Sequence, residues 1–375
     1  MKKYATLGFT VLFCLMFTQQ SHAETVPEPA AELATSTTGE PETPSKEKKK
    51  KKDKVEVSGV LQTHFLQRFD SDDDGETRPN RFRVQRARIT FRGKVNRYIS
   101  YDVMIDPRSP DISGVLRDAF FDVKKLIPRH KLRIGQQKTE FGYENGRSSS
   151  RLYTVNRSEV SDNLARGEAT LRDKGIGLLG SWPIAKGFRL EDAIAVVNGS
   201  GMNMPDDTKR KNLWGRVGVR YKGMGMVTRL GVSAADGDVN DEGDDPLDPA
   251  DDFIFTFNRL GTDVQINHNR FRVNAEYVTG ENDVDGEVEE LNGYYVTLVG
   301  KTPWRLGPLV RYDTTDEDGD IFRRWTFGAY YGRPNDEFRV LVNYERQEEE
   351  VELDDGSLEV TRGDDRLYVW TQVRF

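Results

Sequence analysis

Between residues 86 and 95 the chain alternates without interruption: Arg86, Arg88, Thr90, Arg92 and Lys94 occupy one set of positions, and Ala87, Ile89, Phe91, Gly93 and Val95 the other. A period of two is the period of a β-strand, so the bases project from one face and the apolar groups from the opposite one. In a bilayer such a strand has a single tolerable orientation. A basic side chain on the lipid face costs about 2–4 kcal/mol at the midplane, and four would cost roughly 8–16 kcal/mol if the terms added. That exceeds what a folded protein can normally lose. The bases must then face water inside a closed ring of strands.

The last strand repeats the pattern. Leu367, Val369, Thr371, Val373 and Phe375 share one face, and Arg366, Tyr368, Trp370, Gln372 and Arg374 the other. A C-terminal Phe on the apolar face resembles the assembly signal of outer-membrane barrels. The start of the chain agrees with export. Lys2 and Lys3 precede an apolar run from Leu7 to Phe17, and Ser21-His22-Ala23 supplies small residues where a signal peptidase reads, so residues 1–23 are expected to be a signal peptide. Cys14 lies within it, which leaves no thiol or disulfide chemistry afterwards.

Residues 24–54 are rich in Pro, Thr, Ala and Glu and end in a lysine run, Lys48 to Lys54. Their composition predicts a disordered periplasmic segment. From Val55 to Phe375 the pattern is strand, turn, strand, about 16 times. The even connections are short, around Arg97, Ile127-Pro128, Pro183-Ile184, Gly223-Met224, Asn269, Pro303 and Pro334-Asn335, whereas nearly all odd ones are long and acidic. Outer-membrane barrels sort their connections this way, with short periplasmic turns and longer outer loops. The expected fold is therefore all-β: a transmembrane antiparallel β-barrel of about 16 strands in the bacterial outer membrane, its N-terminal segment in the periplasm.

The phase of the third and fourth strands turns Ser100, Asp102, Asp106, Asp118 and Asp122 to the same side as the bases. A three-residue turn at Asn96-Arg97-Tyr98 would set Arg92 opposite Asp102 and Arg88 opposite Asp106. Such pairs make a salt-bridged wall. A paired arginine also still shapes the field in the lumen, so the wall can guide anions. The alternation test also places Arg216, Arg220, Arg272, Arg366 and Arg374 inside.

Several chemistries are set aside. With net charge −7, the chain is a poor partner for nucleic acid. Asp70-Ser71-Asp72-Asp73-Asp74-Gly75 matches the front of a calcium loop, but the twelfth position, which needs a bidentate Glu, is Arg81, so no metal is expected. His64, His130 and His268 stand far apart and no serine has a nucleophile elbow, so neither an enzyme nor a cofactor is expected. The acidic stretches 236–252, 281–290 and 347–359 read as solvated outer surface, or as bridges through divalent cations to lipopolysaccharide.

Residues 81–182 resemble the phosphate-selective porin O and P family. The resemblance is carried by Arg86-Ala87-Arg88 through Asn96, by Leu116-Arg117-Asp118-Ala119-Phe120-Phe121, by Leu132-Arg133-Ile134-Gly135-Gln136-Gln137-Lys138-Thr139-Glu140-Phe141-Gly142, and by Asp173-Lys174-Gly175-Ile176-Gly177. It implies a 16-stranded homotrimeric porin whose long third outer loop, about 138–172 here, folds into the lumen. That loop carries Lys138, Arg147, Arg151, Arg157, Arg166 and Arg172. Arginine suits oxyanions, because its planar fork donates two hydrogen bonds to one group. The candidate anion-binding residues are therefore Arg86, Arg88, Arg92, Lys94, Arg133, Lys138, Arg147, Arg151, Arg157 and Arg166. The expected function is passive diffusion of small hydrophilic solutes, with anions preferred and phosphate-type oxyanions among them. The alternatives are a closed structural or adhesive barrel and a barrel hydrolase. The expected surroundings are outer-membrane lipid and lipopolysaccharide.

Overall fold

The computed structural model describes residues 55–69, 80–108, 115–164, 172–206, 208–241, 253–284, 286–352, 358–363 and 365–375. The expected signal peptide (1–23), the segment 24–54, the calcium-like run 70–75, Arg166 and the acidic residues 242–252 lie outside these.

The wall begins with β1 (Glu56–Arg68), β2 (Arg81–Lys94), β3 (Ile99–Ile105), β4 (Leu116–Lys124) and β5 (His130–Lys138). It continues with β6 (Arg172–Ala185), β7 (Phe188–Val197), β8 (Asn212–Gly223), β9 (Met226–Asp241), β10 (Phe253–His268) and β11 (Phe271–Val284). It ends with β12 (Glu287–Gly300), β13 (Leu306–Glu317), β14 (Asp320–Tyr331), β15 (Phe338–Glu352), β16 (Leu358–Arg362) and β17 (Arg366–Arg374). Each strand from β1 to β15 pairs antiparallel with its successor, and β17 pairs with β15 as β16 does, the two being parts of one wall strand. β17 also pairs with β1, from Val60 opposite Arg374 to Arg68 opposite Arg366, which closes a 16-strand barrel. Main-chain bonds between Gly59 and Phe375, of 2.7 and 3.2 Å, finish the seam.

The two faces separate as the alternation requires. On β12, Tyr294, Val296 and Leu298 are 43%, 44% and 47% exposed, while Tyr295, Thr297 and Val299 are buried. In a closed barrel the exposed apolar face is the outer one. The interior is not uniformly wet. Two apolar clusters sit on the inward face, one around Trp214, Phe255 and Phe257, the other around Leu341, Tyr368 and Trp370.

The connections differ from expectation in one respect. β13–β14 closes in a two-residue turn, Asp318-Gly319, and on β11–β12 the pairing of two long strands runs out to Val284 opposite Glu287. Asp318 and Gly319 have φ of 53° and 100°, the conformation that lets an Asp-Gly pair close a hairpin. Part of what reads as acidic loop is thus strand: Asp236 and Asp238 lie on β9, Glu281 and Asp283 on β11, and Glu348 to Glu350 on β15. At the other end of the barrel the tight connections are basic. Arg97, Lys125, Arg129, Lys186, Arg270, Lys301, Arg305 and Arg333 lie in them and Lys222 beside one, against the acids Asp336 and Glu337.

Candidate functional site

The expected register between β2 and β3 is present. Arg92 lies opposite Asp102 and bonds to it, and Arg88 Nε reaches Asp106 at 3.2 Å. Further along the wall, Arg133 grips both oxygens of Asp122 at 2.7 and 3.2 Å, with Lys131 on the same carboxylate at 2.9 Å. Arg172 does the same to Asp118, at 2.7 and 3.2 Å. These are two-point pairs of guanidinium and carboxylate, the stronger class of ionic hydrogen bond.

Two bases differ. Arg86 donates to the amide oxygen of Gln62 at 2.9 Å. Lys138 donates to the carbonyls of Asn145 at 3.0 Å and Arg147 at 2.5 Å. Their acceptors are neutral, and among the described residues neither forms an ion pair. Their charges are oriented but not cancelled.

Residues 139–164 are held against the opposite wall, mainly through their main chain. Gly142 N donates to Ser233 Oγ on β9 at 2.9 Å. Tyr143 N and Glu144 N donate to the two oxygens of Glu276 on β11, at 2.5 and 2.8 Å. Glu159 N donates to Asp313 on β13 at 3.0 Å, and Val155 N to Asn343 on β15 at 2.7 Å. In return Arg339 donates to the carbonyls of Ser150 and Leu152, at 3.0 and 2.8 Å, and Arg324 to that of Arg157 at 2.7 Å. Phe141 and Val160 join one inward apolar cluster, Tyr153 and Val155 the other. Replacing Glu276 with Ala is expected to free the Tyr143–Glu144 turn, raising single-channel conductance and current noise in planar bilayers. An unchanged conductance would show that the apolar contacts suffice.

The remaining space runs along β2. A cavity of about 280 Å³ is bordered by Arg86, Arg88, Arg117, Lys138, Arg157 and Arg172, with Asp162 as its carboxylate among the described residues. Arg86, Arg88, Lys138 and Arg172 also border a second cavity of about 640 Å³, where Arg92, Arg133, Arg151 and Arg374 join them. Arg92 and Arg133 in turn border a third of about 560 Å³, which ends at Lys94. The three spaces share lining residues in sequence and follow one basic strand. From Arg86 to Arg92 that strand rises about 20 Å.

The expected site residues therefore fare unequally. Arg86, Arg88, Arg92, Lys94, Arg133, Lys138, Arg151 and Arg157 border this series of cavities. Arg147 does not; its guanidinium stacks over the Tyr143 ring at 4.9 Å. Burial, with Arg272 and Arg229 nearby, pulls that guanidinium down to about 10. Burial also raises the Glu159 carboxyl above its usual range, against the pull of Arg324. Arg117 was not anticipated. Strict alternation from Asp118 puts it on the outer face, but the β3–β4 register slips between Met104 and Ile105, passing from Asp118 to Leu116 across Arg117. A bulge of this kind re-aims a side chain, and a slip in pairing has no one-strand signature.

Comparison with known proteins bears on the whole barrel. No curated protein matches the sequence. Among solved structures, the chain is similar to OmpT of Vibrio cholerae, an outer membrane protein in trimer form, with TM-score 0.60 and 13% identity over 86% of this chain and 99% of that one. It is similar to the anion-selective porin of Comamonas acidovorans, with TM-score 0.58 and 12% identity over 86% and 100% of the two chains. The outer membrane channel DcaP of Acinetobacter baumannii aligns with TM-score 0.54 and 13% identity over 88% and 99%. At these identities the likeness concerns the fold. At the level of sequence, residues 55–335 match the family described as phosphate-selective porin O and P.

Proposed function

The chain belongs to the phosphate-selective porin O and P family, and from that premise we propose that the outer-membrane channel it forms passes small anions in preference to cations. The observation that carries this reading is the pair Arg86 and Lys138, bases held by neutral acceptors beside the shared edge of two cavities. A weak site with several donors lets an anion enter and also leave. The paired arginines along β2, β5 and β6 hold further donors beside its path. Small oxyanions of the phosphate type fit such donors best, since guanidinium can bond two of their oxygens.

In this reading residues 139–164 cross the lumen and confine permeation to the β2 side. Their attachment to β9, β11, β13 and β15 supports it. The short basic connections face the periplasm, as do residues 24–54 after removal of residues 1–23. The acidic hairpins face outward beside lipopolysaccharide. The chain acts as a homotrimer, a reading supported by the trimer form of the Vibrio cholerae protein.

Purified protein in a planar bilayer under a potassium chloride gradient tests the selectivity. The expected reversal potential has the sign of chloride preference; the opposite sign removes the anion reading, and absence of current favours a closed anchoring barrel. Orientation is tested separately. A cysteine placed at Asp318 should react with an impermeant maleimide on intact cells, and one placed at Lys186 should not.

A further inference from the structure

The rim formed by the tight connections carries charge that the passage does not use. Arg97, Lys125, Arg129, Lys186 and Arg270 are exposed there, and among the described residues none of the five forms an ion pair. Three of them are placed by aromatic rings. Arg97 lies over Tyr98 at 4.6 Å, Lys125 over the same ring at 5.6 Å, and Arg129 over Trp182 at 5.5 Å. Trp182 is on the outer face, in phase with the exposed Ile176. Trp304, 78% exposed, stands at the same rim beside Arg305. Aromatic side chains of this kind settle at the level of lipid headgroups. Cations stacked on them are held outside the barrel, at the depth of lipid phosphate and away from the lumen.

We infer that this rim is a binding surface for net-anionic phospholipid headgroups, such as phosphatidylglycerol, in the periplasmic leaflet. The inference rests on the orientation proposed above and not on ion selectivity. A base near an anionic membrane surface favours the charged lipid by about fivefold. The bases are distributed around the circumference, so several lipids are held at once and each is exchangeable. Their attraction is electrostatic and therefore weakens with added salt.

Quenching of tryptophan fluorescence by brominated lipids tests this directly. Trp214 and Trp370 point inward and are buried. A Trp325→Phe background therefore leaves Trp182 and Trp304 as the tryptophans facing lipid. The protein is reconstituted into vesicles containing brominated phosphatidylglycerol or brominated phosphatidylcholine. The expected result is a preference for the anionic lipid of about fivefold or more at low salt, reduced in high salt. Arg97→Gln, Lys125→Gln and Arg129→Gln together should bring it towards parity. Equal quenching by both lipids overturns the proposal, as does a preference that the triple substitution leaves unmoved. Retention of the protein on isolated cell-wall sacculi with no lipid preference assigns the rim to that polymer instead. Since no current is measured, the outcome is independent of the channel's selectivity, and maleimide labelling reports separately on orientation.

Discussion

Replacing Arg86 and Lys138 together by glutamine should lower the ratio of chloride to potassium permeability by roughly tenfold or more. At an effective dielectric of about 20, a unit charge about 8 Å from a passing ion is worth ~2 kcal/mol before screening. Each 1.4 kcal/mol corresponds to about a factor of ten, and salt screening reduces the sum of two such charges without abolishing it. The comparison that isolates the cause is the double variant Arg92→Gln with Asp102→Asn. It also changes two side chains beside the passage, but they are an ion pair, so the net charge is unaltered and the reversal potential should remain near the original. Glutamine preserves hydrogen-bond donors toward Gln62 and the carbonyls of Asn145 and Arg147, and no carboxylate is orphaned. The variant should therefore fold. Equal shifts in the two double variants would remove uncancelled charge from the explanation.

The second large effect is expected at Gly135, where the change is a single methyl group. Its φ is 124°, and a Cβ there would stand 2.2 Å from the carbonyl oxygen of Ala119, a backbone atom that cannot swing away. The backbone conformation alone costs a residue with a side chain about 1–3 kcal/mol, before the collision is counted. Gly135→Ala should thus part β5 from β4 and spoil the rung on which Lys138 faces Arg172. The measurement is urea unfolding in lipid vesicles, with the folded fraction read from heat-modifiable migration. Gly215→Ala is the control, because its added atom would meet nothing nearer than 3.7 Å. Comparable stability of the two variants would show that the local backbone yields more than its contacts suggest.

Alternation made the wall legible from sequence, because it depends on each strand alone. A turn centred on Arg97 was enough to set Arg92 against Asp102 and Arg88 near Asp106. The family resemblance likewise rested on residues 81–182, and the family match extends over 55–335. Other features depend on pairing between segments. Arg117 enters the site through a slip between two ladders, and the apolar interior around Trp214 and Phe257 exists because Phe141 arrives from a distant segment to cover it. Arg147 counted as a site base by its charge, yet the Tyr143 ring claims its guanidinium. The connection between β13 and β14 reads as a long acidic loop because acidity is weighed ahead of the Asp318-Gly319 pair that closes it.

The grip of the barrel on residues 139–164 falls mostly on main-chain atoms: the amides of Gly142, Tyr143, Glu144, Val155 and Glu159, and the carbonyls of Ser150, Leu152 and Arg157. Every residue type except proline supplies that amide, and every type supplies that carbonyl. Position is consequently decoupled from chemistry. Arg151, whose side chain borders a basic cavity while other residues hold the segment in place, can be exchanged for another residue without unseating its neighbours. One scaffold can in this way carry many filters, and a lineage, or a protein engineer, can retune what passes by rewriting a few side chains on a fixed frame.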